Sequence, residues 1–143
     1  MQSRPPPIDG VLETVLYARD LARATAFYRE VLGFALLAGD GQRFQAFHPG
    51  GRQVLLIFQH GSTLEPAPAP GGGMIPPHDS SGSHHIGFAI AAENYEAWKW
   101  HLAAAGVIIE SETTWDRGGR SLYFRDPDGH LLELITPGIW PNY

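Results

Sequence analysis

Two carboxylates and one histidine stand inside apolar, β-type segments of this chain. They are Glu13 in VLETVLYA, His85 in HHIGFAI and Glu133 in HLLELI. A carboxylate within such a run is costly to bury unless it is paired or binds a cation. Two carboxylates and one imidazole that converge form a facial site for a divalent metal ion, with positions left open for a substrate. We therefore take these three residues as the candidate metal ligands.

The segments that carry these residues belong to a pattern that occurs twice. Residues 11–18 have the composition of a strand. Asp20 is a suitable N-cap for a helix over residues 21–32 that Gly33 ends. Three short strand-like runs follow, at residues 34–38, 42–47 and 53–58.

The same order returns in the second half of the chain. A strand is predicted at residues 84–90, and an apolar stripe from Tyr95 to Ala105 has helical spacing. Three further strands are predicted at residues 107–112, 120–124 and 130–135. The order β-α-β-β-β is thus predicted twice, which indicates an internal duplication.

The predicted fold class is α+β, with two βαβββ modules that form a shared cup-shaped mixed β-sheet with the helices outside. Residues 1–143 are expected to form a single domain. The first module covers residues 11–60, a Gly/Pro-rich linker residues 61–82, and the second module residues 83–137. Ten of the 29 glycines and prolines lie in this linker. Because the linker ends just before His84 and His85, we expect it to form a lip over the cup.

Period-two alternation brings the candidate ligands to one face. His85 shares its strand face with Gly87 and Ala89, which leaves room beside the imidazole. In the repeat, Glu13 is equivalent to His85, and Glu133 is equivalent to Leu56. A pseudo-twofold axis would therefore bring Glu13 and His85 together, with Glu133 beside them.

Simpler interpretations of each residue stay open. Glu13 could be exposed at a strand edge, and Glu133 could pair with an arginine such as Arg120. His85 could be a hydrogen-bonded core histidine, or His84 could be the functional histidine in its place.

Composition excludes several function classes. The net charge of -5 argues against binding nucleic acid without sequence preference. The absence of cysteine excludes thiolate metal sites and disulfides. No apolar stretch is long enough to span a membrane. We expect a soluble, cytoplasmic protein whose partner is a small molecule.

The segments DLARATAFYREVLGF, HHIGFAI and YFRDPDGHLLEL together resemble the vicinal oxygen chelate superfamily over residues 11–136. This superfamily includes glyoxalase I, fosfomycin-resistance enzymes, extradiol dioxygenases and bleomycin-binding proteins. The resemblance implies paired βαβββ modules, frequent homodimers, and a divalent ion on Glu13, His85 and Glu133 that chelates vicinal oxygens of the substrate. The hard donor set favours Mn, Mg, Ni or Fe(II) without excluding Zn.

The sequence departs from the known subfamilies at several positions. Glu13 stands where His or Gln is common, Leu56 replaces the fourth ligand of glyoxalase-like members, and Val15 replaces a threonine of the fosfomycin-thiol transferases. Tyr123, ten residues before Glu133, matches the spacing of a tyrosine in the ring-cleaving dioxygenases.

The resemblance also indicates candidate substrate-contacting residues. Tyr123 is a candidate acid or hydrogen-bond donor, with simple packing in the cup as the alternative. Arg120 and Arg117 could hold an anionic substrate, and His78 or His84 could exchange protons, although a solvent-facing position suits all four equally.

Two functions follow as hypotheses. The first is a divalent-metal-dependent lyase, isomerase or dioxygenase of a small molecule with vicinal oxygens. The second is a non-catalytic protein that binds a drug or another small ligand in the same cup. The presence of Glu13, His85 and Glu133 favours the first.

Overall fold

The computed structural model describes residues 4–143. The first βαβββ module contains β1 (Glu13–Ala18), α1 (Leu21–Ala26), β2 (Ala35–Gly39), β3 (Phe44–His48) and β4 (Val54–Gln59). The linker contributes a short hairpin of β5 (Ala67–Pro68) and β6 (Met74–Ile75), and the second module contains β7 (His85–Ala89), α2 (Tyr95–Ala104), β8 (Ser111–Thr114), β9 (Arg120–Arg125) and β10 (Leu131–Ile135).

Helix α1 begins as predicted, where the Asp20 carboxylate accepts a hydrogen bond from the Arg23 amide at 3.1 Å. Its last turn widens into a π-helix over Phe27–Val31, in which the Leu32 amide donates to the Phe27 carbonyl at 3.3 Å. Gly33 then leaves the helix with a φ of 73°, in the left-handed region.

The two modules have the same topology. The strands are ordered β1-β4-β3-β2 in the first sheet and β7-β10-β9-β8 in the second. In each sheet the first strand of the module runs parallel to the last, and the remaining pairs are antiparallel. The predicted duplication and the α+β class are therefore confirmed. The strand predicted at 107–112 begins later, at Ser111, because Val107 and Ile109 pack against the core on leaving α2.

One face of each sheet packs with the helices into a common core. This core contains Leu16, Phe47, Leu55 and Ile57 from the first sheet, Leu122, Phe124, Leu132 and Leu134 from the second, and Leu21, Tyr28, Tyr95 and Leu102 from the helical segments. The opposite face of each sheet therefore points away from the core; we call these the open faces. No helix within residues 4–143 is long and apolar enough to cross a membrane.

Candidate functional site

His85 and Glu133 lie together on the open face of the second sheet. His85 begins β7, and Glu133 is at the centre of the neighbouring β10, opposite Gly87. The Nε2 atom of His85 is 3.1 Å from Oε1 of Glu133. Gly87 keeps this corner open, because a β-carbon there would lie 2.7 Å from Cδ1 of Ile135 and 3.8 Å from the Glu133 carboxylate.

If the His85 imidazole is neutral, no proton lies between its Nε2 atom and Oε1 of Glu133. The other ring nitrogen, Nδ1, lies 3.0 Å from the Leu131 carbonyl, which only accepts, so Nδ1 must donate there. Nε2 is then an acceptor facing a carboxylate oxygen, which is also an acceptor. Two acceptors 3.1 Å apart need a cation: either a proton on the imidazole or a metal ion shared by both atoms.

Within residues 4–143, the second carboxylate oxygen of Glu133 has no partner of normal hydrogen-bond geometry, although the Tyr123 hydroxyl lies near the carboxylate. Glu133 is 5% exposed, and its Oε2 is one of four buried side-chain oxygens without a partner among the described residues. A buried, unpartnered carboxylate oxygen costs free energy unless a cation compensates it. The pair of His85 and Glu133 thus has the chemistry of two ligands of a metal ion.

Tyr123 borders this pair. It is the partner of Glu133 in the register of β9 and β10, and its ring centroid lies 6.4 Å from that of His85. Burial raises the pKa of the Tyr123 hydroxyl, and the neighbouring Glu133 carboxylate raises it further. The hydroxyl therefore stays protonated at neutral pH and is able to donate a hydrogen bond.

Glu13 lies elsewhere, on the open face of the first sheet. It borders a cavity of about 800 Å³ whose walls include Val15, Tyr17, Phe44, Leu56, Phe58 and Ile75. We call this the first-sheet cavity. Among the described residues that line it, none belongs to the second sheet.

The linker hairpin covers the first-sheet cavity, where Pro68, Pro70 and Ile75 contribute to its wall. The Thr63 side chain holds both ends of this loop, because its hydroxyl is bonded to Tyr17 at 2.9 Å and to the carbonyl of His78. The His78 ring also contacts the Tyr17 hydroxyl. The linker thus forms a lip over the first-sheet cavity; that it closes over a complete metal cup stays a prediction.

The three candidate ligands do not meet within one chain. Residues 4–143 contain no group of three or more histidine, aspartate or glutamate side chains that could hold a metal ion. The reason lies in the core, since both modules bury their helix-covered faces against each other and turn their open faces outward.

Arg120 lies on the helix-facing side of β9, whereas Tyr123 lies on the open face of the same strand. Its guanidinium stacks 3.7 Å from the ring centroid of Tyr95 and is 3.2 Å from the Glu96 carboxylate. The structure therefore does not bring Arg120 together with Glu133 or with the first-sheet cavity. His84, the alternative to His85, is bonded to Ser80 at 2.6 Å.

Sequence reasoning missed two residues near these open faces. The first is His130, which is 2% exposed. Its Nδ1 atom accepts the His84 amide at 3.0 Å. Its Nε2 atom therefore donates to the Tyr17 carbonyl, at 2.8 Å, and His130 connects the residue before β7 to β1. The second is Arg43, which lines the first-sheet cavity. It lies just before β3, and no sequence motif indicated a functional role for it.

Comparison with known proteins agrees with this fold. A family model for the glyoxalase/bleomycin resistance protein/dioxygenase superfamily matches residues 10–134. Metallothiol transferase FosB of Staphylococcus epidermidis is 30% identical over 92% of this chain and 86% of its own length. Glutathione transferase FosA of Serratia marcescens is 31% identical over 83% of this chain and 74% of its own length.

A solved structure is also similar over nearly the whole chain. The crystal structure of lactoylglutathione lyase from Agrobacterium tumefaciens has a TM-score of 0.84 and 32% identity, and the match covers 95% of this chain and 99% of that one. These relatives support an enzyme at the coarse level and assign no substrate. The chain belongs to the glyoxalase/bleomycin resistance protein/dioxygenase superfamily.

Proposed function

We propose that this protein is a divalent-metal-dependent enzyme acting on a small molecule with vicinal oxygens. In this proposal His85 and Glu133 of one chain and Glu13 of a second copy hold the ion, in a homodimer with two such sites. The observation that carries the proposal is the buried Oε2 of Glu133, which has no partner among the described residues and lies beside a histidine nitrogen that is itself an acceptor.

The donor set fits a divalent ion. Ligand atoms at right angles around an ion, each about 2.1 Å away, lie roughly 3 Å apart. The observed separation of 3.1 Å between the His85 nitrogen and the Glu133 oxygen matches this spacing. Two carboxylates with one imidazole favour Mn, Mg, Ni or Fe(II), and Zn is compatible.

A second copy is needed because Glu13 and the pair of His85 and Glu133 lie on different open faces. Glu13 is exposed and the His85 side chain is 51% exposed, so a second copy can reach both. Large apolar side chains near the start of β1 and in the C-terminal segment are also exposed, among them Val11 (70%), Leu12 (62%) and Trp140 (59%). Exposed apolar surface of this kind is typical of an interface.

When bound, the ion would supply positive charge that polarises substrate oxygens and stabilises negative charge as it develops. Tyr123 would donate a hydrogen bond to the substrate, because its pKa is raised and its hydroxyl keeps its proton at neutral pH. The hairpin of β5 and β6 would exclude water from the first-sheet cavity.

The relatives support the reaction class but not one substrate. FosB is named a metallothiol transferase, FosA a glutathione transferase, and the Agrobacterium protein a lactoylglutathione lyase. Addition of a thiol to an electrophile, or rearrangement of a thiol adduct, is accordingly the reaction type to test first. Val15 and Leu56 differ from the residues that the fosfomycin and glyoxalase subfamilies place there, so the substrate is expected to differ as well.

The proposal is tested first by measuring how much metal the protein binds and then by screening substrates. The protein is purified without chelator, loaded separately with Mn, Ni, Fe(II) and Zn, and compared with Glu133→Gln. Glu110→Gln is the matched control, because Glu110 directly precedes β8 of the same sheet and pairs with Arg125 at 2.7 Å. We expect about one ion per chain in the wild type and the control, and a loss of affinity of about tenfold or more in Glu133→Gln.

Failure of the wild type to hold any of the four ions contradicts the proposal. If an ion is retained, methylglyoxal–thiol adducts, epoxides and catechols distinguish isomerase, transferase and dioxygenase activity.

The size and apolar lining of the first-sheet cavity favour a second candidate, a non-catalytic small-ligand binder. Tight ligand binding without bound metal and without turnover would support that candidate instead.

A further inference from the structure

We infer that the first-sheet cavity selects an elongated, apolar substrate that carries an anionic group, with Arg43 as the residue that binds the anion. This inference rests on the proposed function only in taking Glu13 as the end where the metal ion is held. It concerns the other end of the cavity and the space between the two.

Arg43 is held in place while its terminal nitrogens stay available. Its Nε atom donates to the Ser62 carbonyl at 3.1 Å, and its guanidinium carbon lies 5.3 Å from the ring centroid of Phe58. Within residues 4–143, no carboxylate forms an ion pair with this guanidinium, and neither terminal nitrogen has a hydrogen-bond partner. A half-buried arginine oriented in this way is prepared to bind a carboxylate, phosphonate or sulfonate.

Arg43 is the one lysine or arginine among the described residues that line the first-sheet cavity. The acidic residues there are Glu13, the proposed metal ligand, and Asp79, which is exposed on the linker. Because Arg43 lies at the opposite end of the cavity from Glu13 and Asp79 is exposed to solvent, the Arg43 end favours an anion over a cation. This charge balance separates the inference from capture of a cationic drug.

The strand register gives the approximate distance between the Glu13 end and the Arg43 end of the cavity. Glu13 and Tyr17 are both on β1. The four residues from one to the other correspond to about 13 Å along a strand. Tyr17 is opposite Phe58 in β4, and Phe58 is opposite Phe44 in β3, directly after Arg43. The anion site therefore lies at the opposite end of the open face from Glu13.

Between these ends the wall is apolar. Val15 and Leu56 are adjacent in the register, Phe44 and Phe58 follow, and Ile75 closes the cavity from the linker hairpin. A compact anion of three carbons cannot span from the metal end to Arg43. A substrate with an alkyl or aryl body fills this wall and reaches both ends.

The test uses 5-phenylvalerate, an elongated aryl carboxylate, and its primary amide, which has the same shape without the charge. Binding to the full-length protein is measured by isothermal titration calorimetry. We expect the carboxylate to bind at least about tenfold more tightly than the amide, because a charge-assisted bond to arginine is lost in the amide. Methylphosphonate, a compact anion, should bind more weakly than 5-phenylvalerate.

Arg43→Gln should reduce the affinity for the carboxylate to that for the amide, while Arg43→Lys should retain part of the preference. Arg52→Gln is the control, since Arg52 is an exposed arginine in the turn before β4 and its loss changes the net charge equally. The acid–amide comparison is made on metal-free wild type, in which no ion competes for the carboxylate, so it decides the matter even if Arg43→Gln proves unstable.

Equal affinity for the acid and the amide, or unchanged carboxylate binding in a folded Arg43→Gln variant, would overturn the inference. Tighter binding of methylphosphonate than of 5-phenylvalerate would overturn the inference that the substrate is elongated. Metal content is measured on the same preparations before the metal is removed and separates the two proposals. If no metal binds but the acid preference is present and depends on Arg43, the proposed function fails and this inference stands.

Discussion

The hydrogen bond between Tyr28 and Asp126 provides a quantitative test of how the two modules pack within one chain. Tyr28 lies in the π-helical turn of the first module, fully buried, and its hydroxyl donates to Oδ2 of Asp126 at 2.7 Å. Asp126 is 6% exposed and belongs to the turn between β9 and β10. Its other oxygen accepts the amides of Asp128 at 2.9 Å and His130 at 3.0 Å.

Tyr28→Phe removes one hydroxyl and leaves the aromatic packing intact. Oδ2 of Asp126 would then be a buried carboxylate oxygen without its donor. A hydrogen bond to a charged group contributes about 1.5–3 kcal/mol, so the free energy of unfolding should fall by about 2 kcal/mol. For a chain of this size that corresponds to a fall in Tm of roughly 4–8 °C.

The assay is urea denaturation followed by fluorescence and circular dichroism, with Tyr143→Phe as the control. The Tyr143 hydroxyl also bonds across the fold, to the Ile90 carbonyl at 3.0 Å, but at an exposed position. Its loss should therefore cost less than about 1 kcal/mol. In an Asp126→Asn background, Tyr28→Phe should cost less than in the wild type. A cost for Tyr28→Phe no larger than that for Tyr143→Phe would refute this description of the contact between the modules.

Three further results are expected. Burial raises the pKa of Tyr95 to about 12. Because the protonated form is favoured in the folded state, stability should fall as the pH rises from about 10 to about 12, by up to about 1.4 kcal/mol per pKa unit, and Tyr95→Phe should reduce that slope in urea denaturation. Gly138 has a φ of 114°, and a β-carbon there would lie 2.5 Å from the Gly119 amide nitrogen. Gly138→Ala should therefore destabilise the fold by more than about 2 kcal/mol in the same assay, whereas Gly71→Ala has open space and should be neutral. Thr63→Val should speed limited proteolysis of residues 64–77, because the buried Thr63 hydroxyl holds both ends of the linker loop.

Each of these results has a contradicting outcome. Equal pH dependence of stability in the wild type and Tyr95→Phe would remove that tyrosine as a source of alkaline instability. Equal effects of the two glycine substitutions would contradict the close backbone approach at Gly138. Unchanged cleavage of the linker in Thr63→Val would show that other contacts hold the loop.

The duplication could be predicted from the sequence because it is encoded locally. Strand alternation, the Asp20 cap and the Gly33 stop depend on neighbours within a few residues, and the structure confirms all three. The side of the sheet on which His85 and Glu133 lie follows from the same period of two. The structure brings the two into contact because β10 lies next to β7 in the second sheet.

The relation between the two modules could not be predicted from local patterns. Equivalent positions in a repeat suggested that Glu13 and His85 meet, but the repeat does not say whether the facing modules belong to one chain or to two. Within the chain, the common core takes up the helix-covered faces of both modules and leaves the open faces outside it. Arg43 escaped notice for a related reason, since its position in the first-sheet cavity depends on the pairing of β3 with β4 and on the linker.

The central claim is that a second copy completes the metal site, and mixing two defective variants tests it most directly. Glu13→Ala and Glu133→Ala chains are each expected to lack tightly bound metal. After unfolding, mixing and joint refolding, half of the dimers should pair one chain of each kind, and each such dimer contains one site with Glu13, His85 and Glu133 intact. The mixture should therefore recover about a quarter of the wild-type metal content. A refolded, dimeric mixture that binds no more metal than the separate variants would contradict it.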